Sequence, residues 1–274
     1  VIFELDSAQR EYLEIFMGGV SRSFAVVVPF LETPLRDYVS TAYLICRVID
    51  NIEDCRQQFD WKTARFQEIS LLLSEPNQAA PILKTWERES WPGLETNQAR
   101  LMSLKDGQML WKIFAMIPGD SRYSIRYWAQ AMADGMDRLG NPQVSPDWSR
   151  QENVHLLSRE KDYNEYCYIV AGTVGYMLTE LVTQHYGFSE SVVKELEPWA
   201  ESCGRGLQKT NILKDFAEDL GRGICYLPEE WLKEVRYAPL CLEGASVAWK
   251  KKVIDDVISE LHSSIDYILA LPYS

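Results

Sequence analysis

Apolar positions recur at three- and four-residue spacing along most of this chain, whereas sustained alternation with β-branched residues is scarce. That pattern predicts a mainly α-helical protein. Turn-forming residues punctuate it at Pro29 to Pro34, Glu75 to Pro81, Trp91 to Gly93, Pro118 to Asp120, Gly140 to Asp147, Gly187, Gly221 to Pro228 and Pro239 to Gly244. These breaks leave about eight to ten helices. There is no repeat and no low-complexity tract, and 274 residues suit one large core, so residues 1–274 read as a single all-α domain. The chain starts at Val1 without Met and stops at Ser274 just after an apolar helical run, which reads as a fragment truncated at its C-terminus.

Two segments far apart in the chain share one design. From Arg36 to Cys55 no Gly or Pro interrupts about five helical turns. Leu44, Ile45, Val48, Ile49 and Ile52 fall on one side, and Tyr43, Arg47, Asp50 and Asp54 on the other. From Gly204 to Leu220, Ile212, Leu213, Phe216, Ala217 and Leu220 form the apolar side, while Gln208, Asn211, Asp215, Glu218 and Asp219 gather opposite. Each segment thus sets two aspartates one turn apart. Like charges at that spacing destabilise a helix by a few tenths of a kcal/mol, and Glu53 adds to the first group. A Mg²⁺ that takes one or two carboxylates and completes its shell with water and phosphate oxygens would offset the repulsion. Taken alone, the first motif fits a solvated face with an Arg47–Asp50 ion pair better than a metal site, since such strings are common in acidic proteins. The Gly221 to Pro228 stretch reads either as a helix cap and turn or as a flap that brings Arg222 to a phosphate.

Charge and composition narrow the chemistry. A net charge of −12 without a long basic run argues against nucleic acid as a partner, and Lys250 to Lys252 reads as a solvated helix face. Carboxylates gathered in a pocket would need cations to hold an anionic substrate. The six cysteines form no close pair and the three histidines have no zinc spacing, which favours a reducing compartment and a hard, oxygen-bound metal. No stretch is apolar enough to span a bilayer and no signal peptide opens the chain. The expected location is therefore the cytoplasm or the cytoplasmic face of a membrane.

Five ordered motifs resemble the squalene and phytoene synthase family. They are SRSF at Ser21 to Phe24, DNIED at Asp50 to Asp54, YCYIVAGTVG at Tyr166 to Gly175, QKTNILKDFAED at Gln208 to Asp219 and GRGICYLP at Gly221 to Pro228. The resemblance implies an all-α isoprenoid synthase fold, a helical bundle around a central cavity. It further implies that two prenyl diphosphates join head to head through a cyclopropylcarbinyl diphosphate. Carried over, Asp50, Asp54, Asp215 and Asp219 would hold Mg²⁺, with Glu53 and Glu218 counted among the metal-site carboxylates. Ser21, Arg22, Ser23, Phe24, Gln208, Asn211 and Arg222 would bind substrate, with Tyr43 and Arg47 at the reacting end.

Those residue types suit the reaction: Arg and Mg²⁺ stabilise the departing diphosphate, and an apolar, aromatic cavity shields the allylic cation. Ala171, Gly172 and Gly175 either pack helices or clear room for a hydrocarbon chain. Where many squalene synthases carry a proton-handling tyrosine, this chain has Ile169, which leaves Tyr166, Tyr168, Tyr43 or the released diphosphate as the base. Lys209 in QKTN leans towards squalene synthases and YCYIVAGTVG towards carotenoid-type relatives. The favoured expectation is squalene from two farnesyl diphosphates, through presqualene diphosphate and with hydride from NADPH. Dehydrosqualene or phytoene without reduction comes second, and a terpene cyclase or a non-catalytic helical protein is more remote. No GxGxxG follows a strand, so NADPH would not bind through a Rossmann site. Peripheral membrane association for product release is a further expectation.

Overall fold

The computed structural model describes residues 3–21, 24–140, 147–235, 242 and 244–271. Arg22 and Ser23 lie outside the described residues, as do most of the expected breaks at Gly140 to Asp147 and Pro239 to Gly244. The all-α expectation holds, and the described chain falls into two compact units: Val1–Asp137 with Glu180–Phe188, and Arg138–Thr179 with Ser189–Ser274.

In the first unit, the helices in chain order are α1 (Ser7–Val20), α2 (Phe24–Val27), α3 (Leu35–Asp54), α4 (Phe59–Ser74), α5 (Ala79–Trp86), α6 (Thr96–Leu101), α7 (Leu104–Met116) and most of α8 (Gly119–Leu139). A capping box starts α1: the Asp6 carboxylate accepts from the Gln9 amide at 2.8 Å, and the Gln9 side chain accepts from the Asp6 amide at 2.9 Å. Helix α3 is the hub, in contact with α1, α4, α6 and α7. Its apolar side is the one its periodicity predicts, with Leu44, Ile45, Val48, Ile49 and Ile52 all fully buried. Leu83 and Trp86 of α5 and Leu110, Trp111 and Phe114 of α7 are buried as completely. Each such side chain contributes about 1.5–3 kcal/mol of burial, enough to hold α3 in place along its length.

The second unit contains β1 (Trp148–Gln151), β2 (Val154–Leu157), α9 (Glu160–Cys167), the first part of α10 (Thr173–Tyr186), α11 (Glu190–Lys214), α12 (Phe216–Gly221), β3 (Ile224–Cys225), α13 (Glu229–Val235) and α14 (Val247–Ala270). Strand β2 pairs antiparallel with β1 and in parallel with β3, where His155 faces Ile224 and Leu156 faces Cys225. This small sheet departs from the sequence expectation, because strands of two to four residues are too short for period-2 alternation to register. Helical segments also exceed the eight to ten expected. One extra division is a π-helical turn at Tyr168–Gly172 between α9 and α10, and another falls at Asp215 between α11 and α12.

Within this unit the small residues of the YCYIVAGTVG segment serve helix packing. A Cβ on Gly175 would lie 2.2 Å from the Ala200 carbonyl oxygen, and one on Gly204 would lie 2.2 Å from that of Ala171. The two backbones touch where glycine allows it. Gly204→Ala should therefore force them apart and lower stability by about 1–3 kcal/mol, read as a lower urea midpoint. Gly18→Ala in α1, where an added Cβ meets nothing within 4 Å, should be neutral or stabilise by up to about 1 kcal/mol. Equal midpoints for the two variants would contradict this packing account.

Candidate functional site

On α3 the predicted residues form a connected chain. Ser21 caps the short α2, its hydroxyl oxygen accepting from the amides of Phe24 at 3.0 Å and Ala25 at 3.3 Å. The Phe24 ring lies 5.1 Å from that of Tyr43, whose hydroxyl donates to the Val20 carbonyl at 3.3 Å. Arg47 Nη2 donates to the Tyr43 oxygen at 3.2 Å, and Nη1 lies 3.3 Å from Asp50 Oδ2. Arg47 Nε is buried without a hydrogen-bond partner, which leaves a charged donor for an acceptor such as a phosphate oxygen.

The Asp50 carboxyl is pushed up to about 6, first by burial and further by the charge of Asp54, with Arg47 pulling it down. An added cation would relieve that cost. Glu53 lies on the same last turn, where its carbonyl accepts from the Lys62 ammonium. Asn51 was not foreseen as a buried polar residue. It is fully buried, donates to the Gln98 carbonyl at 3.1 Å and leaves its Oδ1 without a hydrogen bond. A polar residue at a position that the helical period assigns inward was the available signal.

In the second unit the acidic segment is not one continuous helix. Helix α11 ends at Lys214, and Asp215, at φ −96° and ψ 9°, forms the junction to α12. This turn overturns the expected face: Ala217, placed on the apolar side by periodicity, is exposed, while Asp219 is 5% exposed. Asn211 and Glu218 are exposed, and Gln208 is half-buried. The Asn211 oxygen accepts from the Lys214 ammonium at 3.1 Å, and Asp215 pairs with the same ammonium at 3.3 Å. Asp219 forms a close ion pair with Arg222. Lys209, within the same motif, points the other way and is 1% exposed.

The flap reading of Gly221 to Pro228 is corrected beyond Arg222. Gly223 turns the chain at φ 79°, and its carbonyl accepts from the His155 amide at 2.8 Å. Ile224 and Cys225 then pair with β2, and Tyr226, Leu227 and Pro228 are buried. The Tyr226 ring stacks on Tyr166 at 4.4 Å, so Tyr166 is a core aromatic, 4% exposed. Tyr168 is half-buried with its ring 6.4 Å from that of Tyr176, and Ile169 is buried.

Among the described residues no group of three or more His, Cys, Asp or Glu side chains is arranged as a ready metal cage. The aspartate pairs suit a different kind of ion. Mg²⁺ is held by one or two carboxylates, with waters and substrate phosphates as its other ligands, and Asp50 with Asp54 is a donor set of that type. For NADPH the described residues offer no dinucleotide fingerprint: β3, of two residues, leads through Pro228 into α13 without a glycine-rich turn.

The sequence profile of squalene/phytoene synthase matches residues 17–269. The squalene synthase of Saccharomyces cerevisiae is 33% identical over 221 residues, which are 80% of this chain and 45% of that protein. That of Eremothecium gossypii is 30% identical over 224 residues, 82% of this chain and 47% of that protein. The chain thus spans about half the length of the curated relatives it matches. A ligand complex of TcSQS shares the fold, with a TM-score of 0.79 at 22% identity over 97% of this chain and 73% of that one. With both acidic motifs in place and the family profile covering most of its length, the chain belongs to the squalene/phytoene synthase family.

Proposed function

We propose that this chain joins two farnesyl diphosphates head to head through presqualene diphosphate and, with hydride from NADPH, yields squalene. The observation that carries the proposal is the pair of aspartate motifs, Asp50 with Asp54 and Asp215 with Asp219, each set beside an arginine, Arg47 or Arg222, in a chain of this family. When bound, Mg²⁺ neutralises diphosphate charge and stabilises it as a leaving group. In the first unit Asp50 and Asp54 would hold such an ion with Glu53 beside them, and in the second Asp215 and Asp219 would do so with Glu218 beside them.

The side chains divide the remaining tasks. Arg47, whose Nε has no hydrogen-bond partner and whose Nη1 pairs with Asp50, would supply positive charge to the departing diphosphate. Tyr43 orients that guanidinium through its hydroxyl, and Phe24 fixes the Tyr43 ring from the other side. Gln208 and Asn211 offer neutral donors on α11, and Arg222 follows Asp219 by one turn. Tyr43, Tyr166, Tyr168 and the released diphosphate are the candidate bases, since Ile169 has no hydroxyl. The second reading, dehydrosqualene or phytoene without reduction, is favoured by that same aliphatic Ile169. No described helix is long and apolar enough to cross a membrane, and a C30 hydrocarbon would leave into lipid through peripheral contact.

Incubating the chain with farnesyl diphosphate and Mg²⁺, with and without NADPH, should yield squalene only when NADPH is present. Dehydrosqualene in both reactions would establish the second reading, and the absence of any C30 product would overturn both. Asp50→Asn and Asp215→Asn should each reduce pyrophosphate release at least a hundredfold with folding intact; full turnover in both would remove the metal site from the mechanism.

A separate expectation concerns stability. At neutral pH, above its shifted value of about 6, the half-buried Asp50 carboxylate is ionised beside Asp54. Asp50→Asn should therefore stabilise the metal-free chain by on the order of 1–3 kcal/mol. Added Mg²⁺ should raise the melting midpoint of the parent more than that of the variant. A variant that melts lower than its parent and responds equally to Mg²⁺ would contradict the charge-burial account.

A further inference from the structure

The QKTN motif contains one residue that the proposed chemistry does not use. Lys209 lies between Gln208 and Asn211, yet its side chain is 1% exposed and enters the interface between α11 and α14. There its ammonium lies 3.0 Å from Asp256 Oδ1 and 3.1 Å from Glu260 Oε1, with the Tyr163 ring centroid at 5.1 Å. Arg205, one turn earlier on α11, reaches the same Glu260 at 2.9 Å and Glu201 at 3.2 Å. A buried ammonium is strongly unfavourable unless it is paired in good geometry, so this lysine has one acceptable orientation.

That orientation governs the rest of the helix. At about 100° per residue, Gln208, Asn211 and Asp215 lie within roughly 60° of one another, about 100–160° around the axis from Lys209. An apolar interface alone tolerates small rotations and slips between helices. A lysine locked between two carboxylates does not, since a shift of one residue would strand three charges. We propose that Lys209 is a positioning residue: clamped by Asp256 and Glu260 of α14, it sets the rotation of α11 that presents Gln208, Asn211 and Asp215 to the substrate diphosphate. The inference rests on the diphosphate-binding reading of that face. It makes α14, which carries none of the five motifs, a determinant of substrate affinity.

The test is calorimetric titration of the chain with inorganic pyrophosphate in the presence of Mg²⁺, accompanied by thermal unfolding. Lys209→Met should weaken pyrophosphate binding about tenfold or more, and Lys209→Arg should recover part of the loss. Lys209→Met leaves Asp256 without its cation and Glu260 with Arg205 alone, and could fail to fold, so the deciding variant is Lys209→Met/Asp256→Asn/Glu260→Gln, which leaves none of the three groups charged. This triple variant should unfold cooperatively near the parent midpoint and still bind pyrophosphate about tenfold more weakly. Asp256→Asn alone, which keeps the Glu260 pair, should show a smaller loss in the same direction. Triple-variant binding within twofold of the parent would overturn the positioning role, because the ion pair would then be dispensable for presenting the face. Failure of the parent itself to bind pyrophosphate would instead overturn the diphosphate reading beneath it.

Discussion

The energetics of charge beside buried apolar surface shape both units of this protein. An ion removed from water is destabilised by several kcal/mol unless a partner offsets it. Asp50 has Arg47, Asp219 has Arg222, and Lys209 has Asp256 and Glu260. The compensation differs in completeness. Lys209 is enclosed by two carboxylates, whereas Asp50 has the one arginine beside it, and burial holds the carboxyls of both Asp50 and Asp256 above the usual range. A carboxylate with one cation beside it is suited to receive another charge, and an ammonium held by two carboxylates to hold structure in place.

The apolar packing makes that burial sustainable. Helix α3 carries Asp50 on a cylinder whose opposite side is wholly buried among the helices of its unit, so relief by moving the helix would expose Leu44, Ile45, Val48, Ile49 and Ile52. In the second unit the same rigidity comes from close backbone approach at Gly175 and Gly204 and from the α11–α14 ion pairs. The junction at Asp215 then turns the last acidic residues away from the direction of α11, which brings Asp219 inward against Arg222 and leaves Glu218 in solvent.

Much of this was legible along the chain. The 3.6-residue period located α3 to within a residue at either end and named its buried side chains, because a one-sided apolar stripe has a single way to be buried. The spacing of Asp50 and Asp54 placed them on one face for the same geometric reason, and the order of the five motifs pointed to the family. Periodicity failed where backbone geometry changes within a motif. The break at Asp215 has no proline or glycine to announce it, so Ala217 and Asp219 exchanged their expected environments. The pairing of Ile224 and Cys225 with β2 depends on a strand about seventy residues earlier, a relation no local pattern carries.

What the sequence determined by itself is therefore the helical class, the inward faces of the long helices and the residue types available for diphosphate and metal chemistry, all consequences of local period and composition. Tertiary structure alone decided which charges far apart in the chain compensate one another. Arg47 and Asp50 are neighbours on one helix and could be paired from spacing, but Lys209 meets Asp256 and Glu260 from a helix some fifty residues later. A Coulomb interaction follows distance in space and the polarity of its surroundings, and neither is written in the order of residues.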